Sequence, residues 1–359
     1  MNYSTDRMLS GILHSPGQFE VESCDVPNPQ PGELLIRVFA CAICGSDLRI
    51  MSNGSPRIKS PRIIGHEVAG EVVEVGKGVN SYTIGDKVSL GADIPCGECD
   101  FCRSGMSNCC QINYAIGYQF DGGFAEYMIV PSLMVRNGPI QKIPHSLPWA
   151  HAALAEPLAC CLNGFERALF NKNTGGTVVI FGAGPIGMML VSLAIIYGAE
   201  DVISIEPSFA RRQRAMRLGA NLALNPQNED VVREVLTRTD GHGAQAVFTA
   251  CSSVETHEPA IEIVARRGVV NLFGGLPKDA RHIQFSSNHI HYREAYITGS
   301  HGSTPEHHAT ALELIASGSI DVPLLISHEF ALSEMTTGID LAKKGAPGKV
   351  VIYPSGSGN

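Results

Sequence analysis

Four cysteines lie close together in one stretch of the chain and could hold a metal ion. Cys96, Cys99, Cys102 and Cys110 form a C-x2-C-x2-C-x7-C run. Spacers of two residues let successive thiolates converge on one centre, which suits a tetrahedral Zn²⁺. The alternative, a knot of disulfides, requires an oxidising compartment and is usual in small domains. Nothing in this 359-residue chain supports that alternative, so the run predicts a zinc ion.

A glycine motif, Gly182-Ala-Gly184-Pro-Ile-Gly187, predicts a nucleotide site. It follows an apolar, strand-like run and opens a helical one, as a dinucleotide fingerprint requires. The first glycine permits a tight turn, the second lets the backbone approach a pyrophosphate, and the third allows close helix–strand contact. Pro185 and Ile186 would form the first helical turn, whose free N–H groups attract phosphates. A plain strand–helix turn is the alternative.

An acidic residue beyond this motif bears on the choice of cofactor. Glu206 ends the next predicted strand, 19 residues after Gly187. A carboxylate there can accept both hydroxyls of the adenosine ribose and repels a 2′-phosphate, which favours NAD over NADP. Arg211 and Arg212 weaken this distinction, because a nearby arginine can accommodate the phosphate. NAD is the expected cofactor, and NADP is the less favoured alternative.

The pattern of apolar and turn-forming residues changes near Thr177. Before it, short alternating apolar runs separated by Gly and Pro turns predict a β-rich, barrel-like unit. After it, strand-like runs alternate with helical ones, which predicts parallel βαβ units with both sheet faces covered. The predicted strands include 33–40, 67–75, 86–92, 177–181, 202–206, 244–250 and 268–274, and the predicted helices include one around 254–266 and one at 305–317.

Composition narrows the class of protein. With 44% hydrophobic and 17% charged residues, the chain is typical of a globular protein. A net charge of -8 argues against nucleic acid as a partner. The N-terminal residues lack the basic start and apolar run of a signal peptide, and no apolar run is long enough to span a membrane. A cytoplasmic enzyme with a small-molecule substrate is expected.

Two further motifs reveal a family resemblance. Residues 65–79 spell G-H-E-x2-G-x5-G-x2-V, and residues 41–47 spell C-A-I-C-G-S-D. With the cysteine run and the glycine motif, these resemble the medium-chain zinc-dependent alcohol dehydrogenases, in order and over essentially the whole chain. Glu156, in LAEPLA, is similar to the polyol branch of sorbitol, butanediol and threonine dehydrogenases, because simple alcohol dehydrogenases have a second cysteine there.

The resemblance implies an α/β fold of two domains. A GroES-like β-rich catalytic domain would comprise residues 1–155 and 297–359, with a structural-zinc lobe at about 91–112. Residues 156–296 would form an inserted Rossmann domain with a doubly wound parallel sheet. The resemblance also implies two zinc ions per chain, one structural and one catalytic, and a homodimer or homotetramer that acts on a small alcohol or ketone.

The catalytic zinc ligands follow from the same resemblance. Cys44, His66 and either Glu67 or Glu156 would bind the ion and leave a position for water or substrate. One thiolate and one carboxylate neutralise Zn²⁺ and preserve the Lewis acidity that lowers the pKa of a bound hydroxyl. Glu67 and Glu156 could bind alternately, because both together would overcharge the centre. The alternative for Glu156 is a cap of the following helix.

The residues around this zinc include one departure from the family. Asp47 is expected to orient His66. Ser46 occupies the proton-relay position, and the relay usually continues to a histidine three residues later. Arg49 stands there instead, and an arginine does not titrate near neutrality. The proton would leave through water, Glu156 or another histidine; alternatively, Arg49 holds a cofactor phosphate or an anionic substrate group.

Other residues have weaker assignments. Tyr118 and Phe120 would lie near the substrate mouth and His301 near the nicotinamide, although ordinary packing explains each equally well. Lys349 resembles a basic position that meets the cofactor pyrophosphate. His308, near the start of a helix, is expected to be solvated.

The sequence therefore predicts a zinc-dependent, NAD-linked dehydrogenase that interconverts a secondary alcohol and a ketone. A polyol, sugar alcohol, diol or cyclitol is the expected substrate class, because a second hydroxyl can chelate the metal or bond the carboxylate. One alternative is a sugar-phosphate or aminocyclitol dehydrogenase of a biosynthetic pathway. Another is a non-catalytic dinucleotide-binding protein, but such a protein would be expected to lack Cys44, His66 or Ser46.

Overall fold

The computed structural model describes residues 7–277 and 279–356. Residue contacts divide the chain into two compact units. The first draws on Met1–Ala159 and Gly302–Asn359, and the second is Cys160–His301. The second unit thus interrupts the first in sequence. The domain limits that the resemblance implies differ from these by a few residues and stay a prediction.

The strands of the described residues form four sheets. They are β1 (Arg7–Ser15), β2 (Gln18–Asp25), β3 (Leu34–Ala42), β4 (Arg62–Ile63), β5 (Glu67–Val75), β6 (Lys87–Leu90), β7 (Asp93–Ile94), β8 (Tyr114–Ala115), β9 (Tyr127–Val130), β10 (Ile140–Lys142), β11 (Thr177–Phe181), β12 (Asp201–Ile205), β13 (Leu222–Leu224), β14 (Ala244–Thr249), β15 (Val264–Leu272), β16 (Tyr296–Gly299), β17 (Ile326–Ala331) and β18 (Lys349–Tyr353).

Helices occur in both units. They are α1 (Gly45–Asn53), α2 (Asp100–Arg103), α3 (Ser132–Asn137), α4 (Trp149–Ala153), α5 (Ala155–Arg167), α6 (Pro185–Ile196), α7 (Phe209–Arg217), α8 (Val231–Arg238), α9 (His257–Glu262), α10 (Ser287–Arg293), α11 (Pro305–Ala316), α12 (Val322–Leu325) and α13 (Met335–Lys343). Short 3₁₀ turns cover Ser107–Cys109, Val254–Thr256 and Leu332–Glu334.

The first unit is rich in β-structure. Its largest sheet has the order β10-β6-β5-β3-β18-β17, and β9 also pairs with β3. β5 contains four valines, and β3 contains Ile36, Val38 and Phe39; branched and aromatic side chains favour strands because they pack well on a pleated surface. The two strands are antiparallel, with Ala42 opposite Glu67. The segments that follow β3 and precede β5 therefore meet at one end of this pair.

The second unit contains a doubly wound parallel sheet, as predicted. Its strand order is β13-β12-β11-β14-β15-β16, and every neighbouring pair is parallel. All five residues of β11 are buried, as expected for a strand covered on both faces. The strand order reverses between β11 and β14, and folds of this kind bind ligands at the carboxyl ends of the strands at that point.

One predicted helix is shorter than expected. The sequence indicated a helix around 254–266, but α9 ends at Glu262 and β15 begins at Val264. Val264 pairs with Ala244 of β14. The prediction was wrong there because sheet pairing, which favours β-branched residues, outweighed the helical pattern. The helix predicted at 305–317 is confirmed within one residue as α11.

Candidate active site

Three of the predicted zinc ligands come together in the first unit. One ligand atom each from Cys44, His66 and Glu67 lies within 4.8 Å of the other two. Cys44 precedes α1 as its N-cap, His66 directly precedes β5, and Glu67 begins β5. His66 and Glu67 are buried, and Cys44 is half-buried. The antiparallel pairing of β3 with β5 brings these distant parts of the chain together.

The surroundings of these residues suit a zinc ion. A thiolate, an imidazole and a carboxylate are the donors that zinc takes in proteins. The Oε2 atom of Glu67 is buried without a hydrogen-bond partner, which is unusual for a carboxylate oxygen and is what a cation would correct. Burial lowers the pKa of His66, but the negative charges of Asp47 and Cys44 outweigh it and hold this pKa well above its ordinary value. The site therefore favours a positive charge.

Asp47 and Ser46 lie on opposite sides of the His66 ring. Oδ2 of Asp47 accepts a hydrogen bond from the backbone N–H of Cys44 at 2.9 Å. Its Oδ1 lies 3.2 Å from His66 Nδ1, at ion-pair distance but without the alignment of a full hydrogen bond. Ser46 Oγ is 3.3 Å from His66 Nε2. Asp47 can orient the imidazole through Nδ1, which leaves Nε2 on the side of Ser46.

Glu156 is buried in the first turn of α5 but does not belong to the group of three. Burial raises the pKa of this carboxyl to about 8; the charge of Glu67 adds to the rise, while His66 and Lys349 oppose it. Glu67 is thus the carboxylate that lies with Cys44 and His66, and Glu156 interacts electrostatically with His66 and Glu67. Its role as an alternate ligand stays a prediction.

Lys349 lies beside Glu67. It begins β18, and only 3% of its surface is exposed. Its Nζ donates to Oε1 of Glu67 in a short contact and lies 3.4 Å from the backbone oxygen of Ile43. The predicted contact of Lys349 with a cofactor pyrophosphate stays a prediction.

The residues assigned to the substrate side differ in their contacts and in their exposure. The ring centroids of Tyr118 and His66 are 5.9 Å apart. Phe120 packs edge-on against Tyr114, with centroids 5.8 Å apart. Arg49 is exposed on α1. His301 is exposed in the second unit, where its backbone oxygen accepts a hydrogen bond from Asn163.

One cation near this site was missed by the sequence analysis. The guanidinium of Arg57 lies over the ring of Tyr118, 4.7 Å from its centroid, and donates to the backbone oxygen of Asn113. A cation over an aromatic face is a favourable arrangement. Arg57 belongs to no motif. Its contact with Tyr118 could not be predicted, because it depends on how segments far apart in sequence fold together.

His308 is buried, so the prediction that it is solvated was wrong. None of its surface is exposed, and Nε2 lies 3.2 Å from the hydroxyl of Ser89 in β6. Burial lowers the pKa of this imidazole to about 4. The position near a helix start suggested solvent exposure, but α11 packs against α4 and β10, and this places His308 inside the first unit.

The four-cysteine run folds as one cluster. Ligand atoms of Cys96, Cys99, Cys102 and Cys110 all lie within 4.8 Å of one another, and all four are free thiols. The sulfur atoms of Cys99 and Cys102 are 3.5 Å apart, and those of Cys96 and Cys102 are 3.8 Å apart. Sulfur atoms around a tetrahedral zinc with bonds of about 2.3 Å lie about 3.8 Å apart. The cluster therefore fits one zinc ion.

The glycine turn of the second unit has the geometry of a phosphate site. Gly182 has a φ of 92°, which favours glycine. A Cβ on Gly187 would lie 1.8 Å from the backbone oxygen of Gly182, so no side chain fits there. A Cβ on Gly184 would meet nothing closer than 4.0 Å, which leaves open space beside the N-terminus of α6. Pro185 and Ile186 form the first turn of that helix.

Glu206 is held in place directly after β12. Its Oε2 accepts the backbone N–H of Ala183 at 2.8 Å, and its Oε1 accepts that of Ser208 at 2.9 Å. Arg211 lies 3.8 Å from this carboxylate, whereas Arg212 donates to the backbone oxygens of Glu206 and Pro207. The carboxylate is thus fixed beside the glycine turn, where an adenosine ribose would bind in such a fold.

Comparison with known proteins identifies the family. Residues 30–140 match the alcohol dehydrogenase GroES-like domain, and residues 185–317 match the zinc-binding dehydrogenase family. The L-threonine 3-dehydrogenase of Pyrococcus horikoshii is 38% identical over 97% of this chain and 99% of its own length. The chain belongs to the medium-chain zinc-dependent alcohol dehydrogenases.

Further relatives agree with this family. The sorbitol dehydrogenase of Halalkalibacterium halodurans is 30% identical over 97% of this chain and 99% of its own length. A solved structure from Sinorhizobium meliloti 1021, described as a zinc-binding dehydrogenase bound to NADP, is 32% identical with a TM-score of 0.90, and covers 98% of this chain and 100% of that one. The family's zinc and NAD(P) are thus the cofactors of this enzyme. Within the described residues, no helix has the length and apolar character needed to cross a membrane.

Proposed function

We propose that this enzyme oxidises a secondary alcohol that carries a hydroxyl or amino group on the neighbouring carbon, with NAD as hydride acceptor. Polyols, diols, cyclitols and β-hydroxy amino compounds share this feature. Threonine and sorbitol, the substrates named for two relatives, both contain it. The substrate class is therefore defined by two adjacent polar groups rather than by one carbon skeleton.

The observation that carries this proposal is the second buried carboxylate. Glu67 lies with Cys44 and His66, so Glu156 is an additional acid, and it interacts electrostatically with His66 and Glu67. A carboxyl group can hydrogen-bond a second polar group of the substrate, and a hydroxyl or ammonium group beside the reacting carbon is such a group. A simple alcohol has no group to offer to Glu156. The second polar group of the substrate would thus contribute to binding and orientation.

The residues of the chain have separate roles in the proposed reaction. When bound, zinc supplies a Lewis acid for the alcohol oxygen and NAD supplies the hydride acceptor. Cys44, His66 and Glu67 would hold the metal, with Asp47 fixing the His66 ring. The Ser46 hydroxyl lies beside His66 Nε2, where it can accept the proton of the substrate hydroxyl and pass it to water.

A substrate panel tests this proposal. The rate of NADH formation would be measured for butane-2,3-diol, sorbitol, myo-inositol and L-threonine, with butan-2-ol as the matched alcohol without a neighbouring polar group. At least one of the first four should have a kcat/KM about tenfold or more above that of butan-2-ol, since a buried hydrogen bond to a charged group contributes about 1.5–3 kcal/mol. Equal values for all five would contradict the proposal.

A second candidate substrate class carries an additional negative charge. The Arg57 guanidinium over Tyr118 places a cation near His66, which favours a carboxylate or phosphate group on the substrate. L-Threonine represents this class in the panel, and a sugar-alcohol phosphate would be added to it. Arg57→Gln should then raise KM for these anionic substrates and leave KM for butane-2,3-diol unchanged. The same KM change for charged and neutral substrates would exclude this role.

We infer that NAD is preferred to NADP because the carboxylate of Glu206 is fixed beside the glycine turn. A 2′-phosphate would meet this charge, and like charges in contact cost several kcal/mol. Glu206→Ser, with Arg211 retained, should raise the NADP/NAD ratio of kcat/KM by about tenfold or more. Glu200→Ser removes an exposed charge of the same unit and serves as the control. A native enzyme that strongly prefers NADP would contradict the inference.

We further infer a cytoplasmic homodimer or homotetramer with two zinc ions per chain. The unpaired thiols of both metal clusters support a reducing compartment. The oligomeric state rests on the family resemblance. Light scattering of the purified enzyme tests the oligomeric state, and metal analysis tests the number of zinc ions.

A further inference from the structure

The second unit has a cavity at the end of its parallel sheet opposite the glycine turn. A Cβ on Gly182 would lie 3.0 Å from the oxygen of Ala250, which directly follows β14, so the glycine turn is at the carboxyl end of this strand. The cavity, of about 290 Å³, is at the amino end of β14. The described residues that line it are Gly241, His242, Gln245, Ala265, Arg266 and Arg293. None of them is acidic, although the net charge of the chain is -8.

An excursion of β15 brings one of the two arginines to this cavity. Val264 pairs with Ala244 of β14, but the next pair joins Val269 to Ala246. Residues 265–268 therefore leave the regular pairing. Within them Arg267 has a φ of 58°, which is uncommon for a residue other than glycine. Strained backbone of this kind persists where the surrounding structure holds it, and it is frequent at binding sites.

The two arginines of the cavity are held by uncharged partners. Nη1 of Arg266 donates to the backbone oxygen of Tyr292 at 3.0 Å, and Nη1 of Arg293 donates to that of Val264 at 2.7 Å. Neither guanidinium forms an ion pair with any residue that the structure describes. In both, the edge formed by Nε and Nη2 is not used by the described part of the chain. This edge can bind two oxygens of one anion.

Gln245 adds an uncharged donor to the lining. Its Oε1 accepts the backbone N–H of Thr177 at 2.7 Å, so the amide NH₂ is the end that remains to donate. A Cβ on Gly176 would lie 2.3 Å from this Oε1. Glycine at that position therefore leaves the space that the amide occupies. Two guanidinium edges and one amide thus offer donors to a single ligand.

We propose that this cavity binds the phosphate group of a small phosphorylated compound. A phosphate monoester has three acceptor oxygens and about two negative charges, which match two guanidinium groups. A carboxylate has two oxygens and one charge, and it would leave one arginine without an ionic partner. The cavity is larger than a phosphate group alone, which favours an ester over the free ion. Binding here is separate from the cofactor site and does not depend on the substrate class proposed above.

Hydrogen exchange of the zinc-loaded enzyme tests this site, with NAD at saturation so that the glycine turn is occupied. Glycerol 3-phosphate should slow exchange in peptides that cover 241–245 and 264–268, and glycerol should not. Acetate and inorganic phosphate, at the same ionic strength, should act more weakly on these peptides. Unchanged exchange there with glycerol 3-phosphate, or equal slowing by acetate, would overturn the proposal. Equal or tighter binding of inorganic phosphate would overturn its assignment to an ester.

A substitution inside the cavity shows whether its charge is responsible. Gln245→Glu keeps an acceptor for Thr177 and adds a negative charge, so calorimetric titration should show that glycerol 3-phosphate binds about tenfold or more weakly. Gln227→Glu adds the same charge at an exposed position of the second unit and should bind like the native enzyme. Native affinity in Gln245→Glu would refute the proposed site.

Arg266→Gln is the second variant and serves also if Gln245→Glu does not fold. It keeps a donor for Tyr292, and its affinity should fall by about tenfold or more. Arg267→Gln removes the neighbouring charge, which lies outside the cavity lining and 4.0 Å from Glu294. Equal losses in the two variants would mean that only the general charge of the surface matters, against the proposal. Arg57→Gln alters the anion group proposed for the first unit and should leave exchange at 241–245 and 264–268 as in the native enzyme.

Discussion

The three acidic side chains around the predicted zinc differ in what holds them. Asp47 is bound by the Cys44 backbone and faces His66, and Glu67 is bound by Lys349. Glu156 is buried without belonging to the metal group, and burial raises its pKa to about 8. Carboxyl groups with different environments commonly have different roles in one site. We assign to Asp47 the orientation of His66, to Glu67 the direct ligation of zinc, and to Glu156 contact with the substrate.

Replacing Glu156 tests this division at the scale of one residue. Glu156→Gln keeps the shape of the side chain and removes its ability to ionise and to exchange a proton, so turnover should fall by roughly a hundredfold or more, as for loss of a positioned acid–base or electrostatic group. NAD affinity should stay near its native value, because the glycine turn and Glu206 belong to the second unit. Stopped-flow kinetics and NAD titration measure both quantities.

Glu166→Gln is the matched control for this variant. Glu166 is on the same helix, α5, but is exposed. Its replacement should leave turnover within about twofold of the native value, since exposed substitutions away from a site rarely exceed 0.5 kcal/mol. Near-native turnover in Glu156→Gln would show that this carboxylate only caps the helix. The catalytic set would then reduce to Cys44, His66 and Glu67.

At the scale of elements, the four-cysteine segment depends on its metal. It contains only β7, α2, a 3₁₀ turn and β8, all of which are very short, so a zinc ion must supply much of its stability. Cys99→Ser should therefore bind about one zinc per chain instead of two and should melt at a lower temperature. Elemental analysis and calorimetry check this. Cys109→Ser changes an exposed cysteine outside the cluster and should keep both zinc ions.

The burial of His308 in α11 predicts a pH dependence of stability. Its pKa is about 4 in the folded protein and close to the ordinary 6.5 when the chain is unfolded. As pH falls from 6.5 towards 4, the unfolded chain binds a proton that the folded protein does not, so stability is lost across this window. Between pH 7 and pH 5, the free energy of unfolding should fall by about 2 kcal/mol more in the native protein than in His308→Gln.

Urea titrations at the two pH values measure this difference. Every other titrating group is common to both proteins and cancels in the comparison. His242→Gln, at an exposed histidine, should show the same pH dependence as the native protein. A parallel loss of stability in native protein and His308→Gln would mean that the imidazole is hydrated at low pH.

Patterns along the chain predicted most elements but not the contacts between them. β5 and β11 have the predicted bounds because alternating or continuous apolar runs between turns identify strands. The start of β15 and the burial of His308 were missed because both depend on pairing partners far along the chain. The ligand candidates came from spacing and resemblance. Neither could show that Lys349 binds Glu67 or that Arg57 covers Tyr118, because these contacts follow from strand register and loop conformation.

At the scale of the whole molecule, the two kinds of cofactor site fall in different units. Cys44, His66, Glu67 and the four-cysteine cluster belong to the first unit, whereas the glycine turn and Glu206 belong to the second. Each unit also has its own hydrophobic core. Loss of metal removes stabilisation only from the unit that binds it, provided that the units unfold independently. Removal of zinc by a chelator should therefore destabilise the first unit and not the second.

Chelation of both zinc ions should speed amide hydrogen exchange in the first unit and leave the second unit unchanged. The increase should be largest at 91–112 and around α1 and β5, because these segments hold the ligands. Exchange in β11, β12 and β14 should stay within error of the native rates. Mass spectrometry of peptides from native and chelated enzyme measures both. In Cys99→Ser the increase should be confined to 91–112, and an equal increase in β11 and β14 would show that the two units unfold as one.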